Sequence, residues 1–137
     1  MAEAPPGARA RPLSPYTTIW RWHVTMAASI LNRVAGVALY LGLLIVAGWA
    51  LALASGPDAY GAYTGPGLLG SLVGRVVLFG ITVALFFHMA NGVRHFAWDL
   101  GRGFAPKTAD ATAWGSFAFA IVAGVALWSI VLTKGVV

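Results

Sequence analysis

Long apolar stretches without charged side chains alternate with short polar segments along this chain. Residues 34–54 and 112–133 contain no charged residue, and a third apolar stretch lies between Arg75 and Arg94. A helix needs about 20 apolar residues to cross the hydrocarbon core of a bilayer. The pattern therefore predicts an all-α membrane protein with three transmembrane helices, over about residues 26–54, 68–98 and 112–133.

Turn-forming residues mark the ends of these helices. Gly56-Pro57-Asp58 ends the first predicted helix, and residues 99–112 are predicted to form a polar loop after the second. Residues 1–22 are rich in Pro, Ala and Arg before an aromatic segment, which indicates an N-terminal arm that ends at the membrane interface. Residues 23–137 then form the three-helix anchor domain.

The composition supports this interpretation and excludes several classes of function. Hydrophobic residues make up 59% of the chain and charged residues 9%, with a mean hydropathy of +0.79, which is typical of a membrane protein. The chain has no cysteine, so disulfides, cysteine nucleophiles and thiolate ligation of iron–sulfur clusters are excluded. The net charge of +5 argues little for nucleic acid binding, because the basic residues flank the apolar stretches and form no single patch.

The distribution of arginine and lysine predicts the orientation in the membrane. The loop between the first two predicted helices contains neither residue, whereas most of the basic residues lie on the other side. These are Arg9, Arg11, Arg21, Arg33, Arg94, Arg102 and Lys107. By the positive-inside rule we expect a cytoplasmic N-terminal arm. We expect a bacterial cytoplasmic membrane in preference to the mitochondrial inner membrane, because no Arg/Ser-rich amphipathic presequence is present.

Two of the three histidines lie near the end of the second predicted helix. His88 lies within the apolar stretch, where ionisable side chains are rare and usually functional. His95 follows about two helical turns later, on nearly the same face and about 10 Å away, which is too far for both rings to bind one small ion. The spacing suits a deep ligand to a large cofactor such as haem b, with a second polar group at its edge. A hydrogen bond between helices is the alternative role of His88, and the residues alone leave both open.

Small residues share the face of His88, since Gly80, Ala84 and Gly92 recur with it at four-residue spacing. Such a stripe allows the close approach of a flat macrocycle, but on its own it favours ordinary packing of helices. Only one histidine lies deep in a predicted span. A haem with two histidine ligands would therefore need the second from another chain, which predicts a helix bundle of several subunits.

Antiparallel packing of the first two helices would bring polar residues of both to the inner side of the membrane. Ser29 and Arg33 would then lie at the level of Arg94 and His95. Arg33, Arg94 and His95 could supply cations to haem propionates, and Ser29 with Arg33 could bind a quinone carbonyl. The alternative for the last pair is a snorkelling arginine beside a serine bonded to its own helix, and without further information that alternative is favoured.

Three blocks of the sequence carry a resemblance to a known family. They are RPLSPYTTIW (residues 11–20), SILNRVAG (29–36) and HMANGVRHFAWD (88–99). They resemble the cytochrome b subunit, the larger membrane anchor of succinate dehydrogenase (respiratory complex II), from about Arg11 to the end of the chain. The third block is the most specific, because family members carry a His-x3-Gly-[Ile/Val]-Arg-His-x2-x-Asp pattern there.

The resemblance implies a role for each candidate residue. His88 would be an axial ligand of haem b, paired with a histidine of the small anchor subunit, and Arg94 and His95 would lie on the propionate side. Ser29 and Arg33 would help bind ubiquinone beside residues of the iron–sulfur subunit. The FAD and the iron–sulfur clusters would belong to the flavoprotein and iron–sulfur subunits, in keeping with the missing cysteines.

The predicted function is therefore that of a membrane-anchor subunit of succinate:quinone oxidoreductase, which ligates haem b and helps form the ubiquinone-reduction site but does not itself oxidise succinate. A structural anchor without haem, and the haem-b anchor of fumarate reductase or of another respiratory dehydrogenase, are the alternatives. Many family members have histidine where this chain has Asn32 and Tyr16, which leaves the roles of these two positions open.

Overall fold

The computed structural model describes residues 19–135, and most of these residues are helical. Three long helices, α1 (Val24–Ser55), α3 (Leu72–Asp99) and α4 (Pro106–Thr133), are each apolar and long enough to cross a membrane. A short helix, α2 (Pro57–Thr64), connects α1 to α3. The prediction of an all-α membrane protein with three transmembrane helices is confirmed. Residues 1–18 of the predicted arm, including Tyr16, lie outside the described residues.

Two of the long helices begin at residues other than those predicted. α4 begins at Pro106 and not near Thr112, because proline suits the first position of a helix, where its missing amide hydrogen would have no partner. α3 begins at Leu72 and not near Leu68, because the Ser71 hydroxyl caps the helix by accepting the amide of Gly74 at 3.0 Å. Polar residues assigned to the second loop therefore form the first turns of α4.

Contacts between the long helices show that α3 is antiparallel to both α1 and α4. As residue numbers rise along α3, they fall along each of these two helices. The contacts pair Asn32 with His88 and Gly42 with Ile81 between α1 and α3, and Arg94 with Thr112 and Thr82 with Trp128 between α3 and α4. The start of α1, the end of α3 and the start of α4 therefore lie at the same end of the bundle.

Small residues on α1 and α4 let both helices approach α3 closely. Ala28, Ala35 and Gly42 are buried along one face of α1 at seven-residue spacing. A Cβ atom at Gly42 would lie 2.9 Å from Cγ2 of Ile81, and one at Gly124 of α4 would lie 2.8 Å from Cγ2 of Val83. Real Cβ atoms do not pack this closely, so the glycines set the distances between helices.

The predicted stripe of small residues on α3 has a different environment. A Cβ atom at Gly80 or Gly92 would have no neighbour within 4 Å in the part of the chain that the structure describes. Packing between the described helices therefore does not account for these two glycines, although that packing was the favoured interpretation of the stripe. They leave an open surface on both sides of Ala84 and His88.

A hydrogen bond fixes the short helix α2 to the side of α1. The Tyr63 hydroxyl donates to the backbone carbonyl of Ile45 at 3.0 Å. Gly48 lies beneath the ring, where a Cβ atom would come to 2.5 Å from the hydroxyl oxygen. The connection between α1 and α3 is thus held against α1 at the end of the bundle opposite to His88.

Replacing Gly124 by leucine should separate α3 from α4. Val83 is β-branched and has little freedom to move away, so we expect a cost of about 1–3 kcal/mol from overpacking. The thermal unfolding midpoint of the purified protein should fall. Gly115→Leu, on the same helix where a Cβ atom meets nothing within 4 Å, is the matched control. Equal midpoints for the two variants would contradict the role assigned to Gly124.

Candidate functional site

His88 lies on α3 with its ring against α1. The side chain is half-buried, and a Cβ atom at Gly36 would lie 3.5 Å from Cε1 of the ring, in ordinary van der Waals contact. Nδ1 of the ring lies 3.2 Å from the backbone carbonyl oxygen of Asn32. The imidazole therefore packs directly against α1 at Gly36 and reaches the backbone of this neighbouring helix.

This hydrogen bond determines which ring nitrogen of His88 can bind a metal. A carbonyl oxygen can only accept, so Nδ1 carries the hydrogen, and in the neutral tautomer Nε2 keeps its lone pair. Metal-ligating histidines usually have this arrangement, in which the second nitrogen donates to a carbonyl or a carboxylate. The interhelical hydrogen bond that the sequence left as an alternative is present, and it is compatible with ligation through Nε2. No cluster of three or more His, Asp or Glu side chains able to hold a metal ion occurs within residues 19–135.

Next to the His88–Asn32 contact, a cavity of about 200 Å³ lies between the start of α1 and the end of α3. We call it the first cavity. It brings together four of the predicted site residues, namely Ser29, Arg33, Arg94 and His95, with Thr25, Ala28, Asn32, Asn91 and Trp98. His88 does not line this cavity. The link between them is Asn32, which lines the cavity and whose backbone carbonyl binds the imidazole.

Arg94 is buried and held by protein groups on two sides. Its Nη1 donates to Oδ1 of Asn91, its Nε donates to the Thr112 hydroxyl at 3.1 Å, and its Nη2 donates to the carbonyl of Ala109 at 3.2 Å. The guanidinium carbon also lies 4.8 Å from the centre of the Trp98 ring. Arg94 therefore joins α3 to α4, and of its five N–H groups two are left for any other partner.

Ser29 and Arg33 have a different environment from that of Arg94. Both are exposed at the edge of the first cavity, and neither forms a hydrogen bond with another described residue. Ser116 and Ser129 of α4, by contrast, donate to the carbonyl four residues before them. The alternative interpretation of Ser29 required the same bond to its own helix, and the described residues do not contain it.

His95 and Asn32 complete the polar lining of the first cavity. His95 is exposed, with its ring edge-on to Trp98 at 4.9 Å between centres. Oδ1 of Asn32 is buried and has no hydrogen-bond partner among the described residues. An unpaired buried acceptor costs about 1–3 kcal/mol, so this position favours a water or a ligand that donates a hydrogen bond.

The sequence of the chain matches that of a known protein family. Residues 7–127 match the family described as succinate dehydrogenase/fumarate reductase transmembrane subunit. The chain belongs to this family. It is 32% identical over 118 residues to the succinate dehydrogenase cytochrome b556 subunit of Rickettsia felis, which covers 86% of this chain and 90% of that protein. The resemblance predicted from the sequence blocks is confirmed.

Mitochondrial proteins of the same kind are also similar to this transmembrane subunit. It is 40% identical over 93 residues to the mitochondrial succinate dehydrogenase cytochrome b560 subunit of Sus scrofa, which covers 68% of this chain and 55% of that protein. The corresponding human protein is 38% identical over 93 residues, with the same shares of the two chains. The family therefore includes both bacterial and mitochondrial members.

Sequence reasoning did not identify the residues that support this site. Asn91 is buried and binds both Arg94 and, through Nδ2 at 3.0 Å, the carbonyl of Phe87. Its position three residues before Arg94, on the same helix face, was a usable signal. The contacts of Arg94 with Ala109 and Thr112 do not follow from the sequence, because the prediction places Ala109 in a loop and starts the third helix only at about Thr112.

Asn91→Leu tests the structural role of this network. The change removes an acceptor from a buried guanidinium, so we expect a loss of about 1–3 kcal/mol and a lower thermal unfolding midpoint. Val93→Leu, at an exposed position of the same helix, is the control and should leave the midpoint within error. A midpoint equally unaffected by Asn91→Leu would show that Arg94 does not need this partner.

Proposed function

We propose that this chain is the cytochrome b membrane anchor of a succinate:quinone oxidoreductase, with His88 as an axial ligand of haem b. The observation that carries the proposal is the hydrogen bond from Nδ1 of His88 to the Asn32 carbonyl. This bond leaves Nε2 as the ring nitrogen that can ligate iron. Imidazole is a common axial ligand of haem iron. When bound, haem b supplies a one-electron redox centre.

Several residues fit such a cofactor. Gly92, one helical turn after His88, leaves open space for a flat macrocycle, since a Cβ atom there would meet no described residue within 4 Å. Arg33 and His95 would supply polar groups to the propionates of the haem, and Arg94 retains two N–H donors that could serve the same purpose. With one deep histidine on this chain, the second axial ligand comes from the small anchor subunit.

The first cavity is the proposed contribution of this chain to the ubiquinone site. Ser29 and Arg33 line it and form no hydrogen bonds with other described residues, so a hydroxyl and a guanidinium remain available to a quinone carbonyl. The positive charge of Arg33 favours negative charge that develops on the quinone oxygens during reduction. The unpaired Oδ1 of Asn32 can accept a hydrogen bond from the hydroxyl of the reduced product.

The charge distribution supports an orientation for the proposed complex. At the end of the bundle that holds the first cavity, the described residues include Arg21, Arg33, Arg94, Arg102 and Lys107. By the positive-inside rule this end faces the cytoplasm in a bacterial inner membrane, where the iron–sulfur subunit docks and carries the flavoprotein. Succinate oxidation then takes place on those subunits, and this chain tethers them to the bilayer and helps bind the electron acceptor.

His88→Leu in the assembled complex tests the axial ligand. Loss of one imidazole should remove or shift the low-spin b-type bands in the reduced-minus-oxidised absorption spectrum. His23→Leu provides a matched control, because His23 is exposed and paired only with Thr25 and Asp110 among the described residues. A low-spin spectrum that survives His88→Leu unchanged would refute ligation by this residue. A wild-type complex without any b-type spectrum would leave a structural anchor as the function.

Ser29→Ala and Arg33→Leu test the quinone site. Each should lower the rate of ubiquinone reduction by about tenfold or more, which is the effect of losing one hydrogen bond to a charged group or to a charge that develops during reduction. Succinate oxidation with an artificial acceptor should continue. Ser129→Ala and Arg102→Leu are the matched controls. Among the described residues Ser129 forms a hydrogen bond only with its own helix, and Arg102 is exposed and does not line the first cavity. Equal loss of both activities in the test variants would indicate failed assembly and not a quinone defect.

A further inference from the structure

A second and larger cavity lies at the opposite end of the bundle. Its volume is about 620 Å³, and it is formed where the ends of α1, α2 and α4 meet the start of α3. We call it the second cavity and define it by Trp49, Tyr60, Thr64, Leu69, Arg75 and Leu78. It shares no lining residue with the first cavity, so it does not belong to the proposed haem and quinone site.

The second cavity has a positive charge that no described residue neutralises. Arg75 is the charged residue among those that line it, and no carboxylate does so. Its Nε donates to the carbonyl of Gly70 at 3.1 Å, which fixes the side chain, and its two terminal nitrogens have no partner among residues 19–135. Arg75 lies in the first turn of α3, where the helix dipole adds further positive potential. These features favour an anionic ligand.

The rest of the lining is suited to an amphiphile. Leu69, Leu78 and Trp49 supply apolar surface, and the hydroxyl-bearing residues Tyr60 and Thr64 line the same cavity as Arg75. Trp49 lies about 9 Å from the end of α1 at Ser55, so the cavity extends from the end of the helix into the apolar part of the bundle. Tryptophan and tyrosine are typical of the headgroup level of a bilayer.

We propose that the second cavity binds an anionic phospholipid, with the phosphate at the Arg75 guanidinium and an acyl chain along Leu69 and Leu78. Guanidinium groups bind phosphate oxygens through two parallel hydrogen bonds, which a lysine does not reproduce. A lipid fits better than a free phosphate because most of the cavity surface beyond the guanidinium is apolar. The site is independent of the proposed function of His88.

The test is a titration of the purified complex with phosphatidylglycerol, followed by native mass spectrometry. The Arg75→Gln complex should bind the lipid about tenfold more weakly than wild type, the change expected from a lost charge-assisted hydrogen bond. Arg102→Gln removes an exposed arginine at the other end of the bundle and should bind as wild type does. Succinate oxidation with an artificial acceptor shows that each complex has assembled.

Two further measurements distinguish a phospholipid from free phosphate as the ligand of the second cavity. Phosphatidylcholine should bind more weakly than phosphatidylglycerol, because its choline cation is repelled by Arg75, and inorganic phosphate should not displace the bound lipid. If the Arg75→Gln complex fails to assemble, the double variant Tyr60→Phe/Leu78→Trp is tested instead. It narrows the cavity while Arg75 is retained, and it should lower lipid binding. Equal binding of phosphatidylglycerol by the Arg75→Gln and Arg102→Gln complexes, or displacement by inorganic phosphate, would overturn the proposal.

Discussion

The close approach of α1 to α3 is the interaction on which the rest of the structure depends. Within a bilayer there is no hydrophobic driving force between helices, so association relies on van der Waals packing and hydrogen bonds. Ala28, Ala35 and Gly42 remove bulk from the contact face of α1. The helices then come near enough for an imidazole on one to reach a backbone carbonyl on the other, and for polar residues of both to surround one cavity.

The sequence was sufficient for the architecture because the bilayer limits the choices. A chain that is 59% hydrophobic and has three uncharged stretches of spanning length can satisfy its backbone in lipid only as helices or as a closed barrel. The antiparallel hairpin follows from a short connection. The hairpin predicts that Ser29 and Arg33 lie at the level of Arg94 and His95, and the structure places them there. The prediction works because each helical residue adds a fixed rise of about 1.5 Å along the helix axis.

The hydrogen bonds and contacts that hold the site residues in place do not follow from such arguments. Helix geometry brings Ser29 and Arg33 to the level of His95 but cannot show that the backbone carbonyl of Asn32 binds the ring of His88. The polarity of residues 106–111 predicts a loop, whereas Pro106 starts a helix there and so brings Thr112 to Arg94. Whether the glycines of α3 face a neighbour depends on which helices surround them, and one chain of a larger assembly does not contain that information.

The partners of Arg94 have an electrostatic consequence. All three are neutral, and the described residues place no carboxylate within ion-pair distance, so a full positive charge stays fixed beside the first cavity. At an effective dielectric constant of about 20, such a charge stabilises an added electron about 10 Å away by roughly 1.7 kcal/mol. For a one-electron couple this is a rise of roughly 70 mV in midpoint potential. The residue that fastens two helices together would thus also make any acceptor in its vicinity easier to reduce.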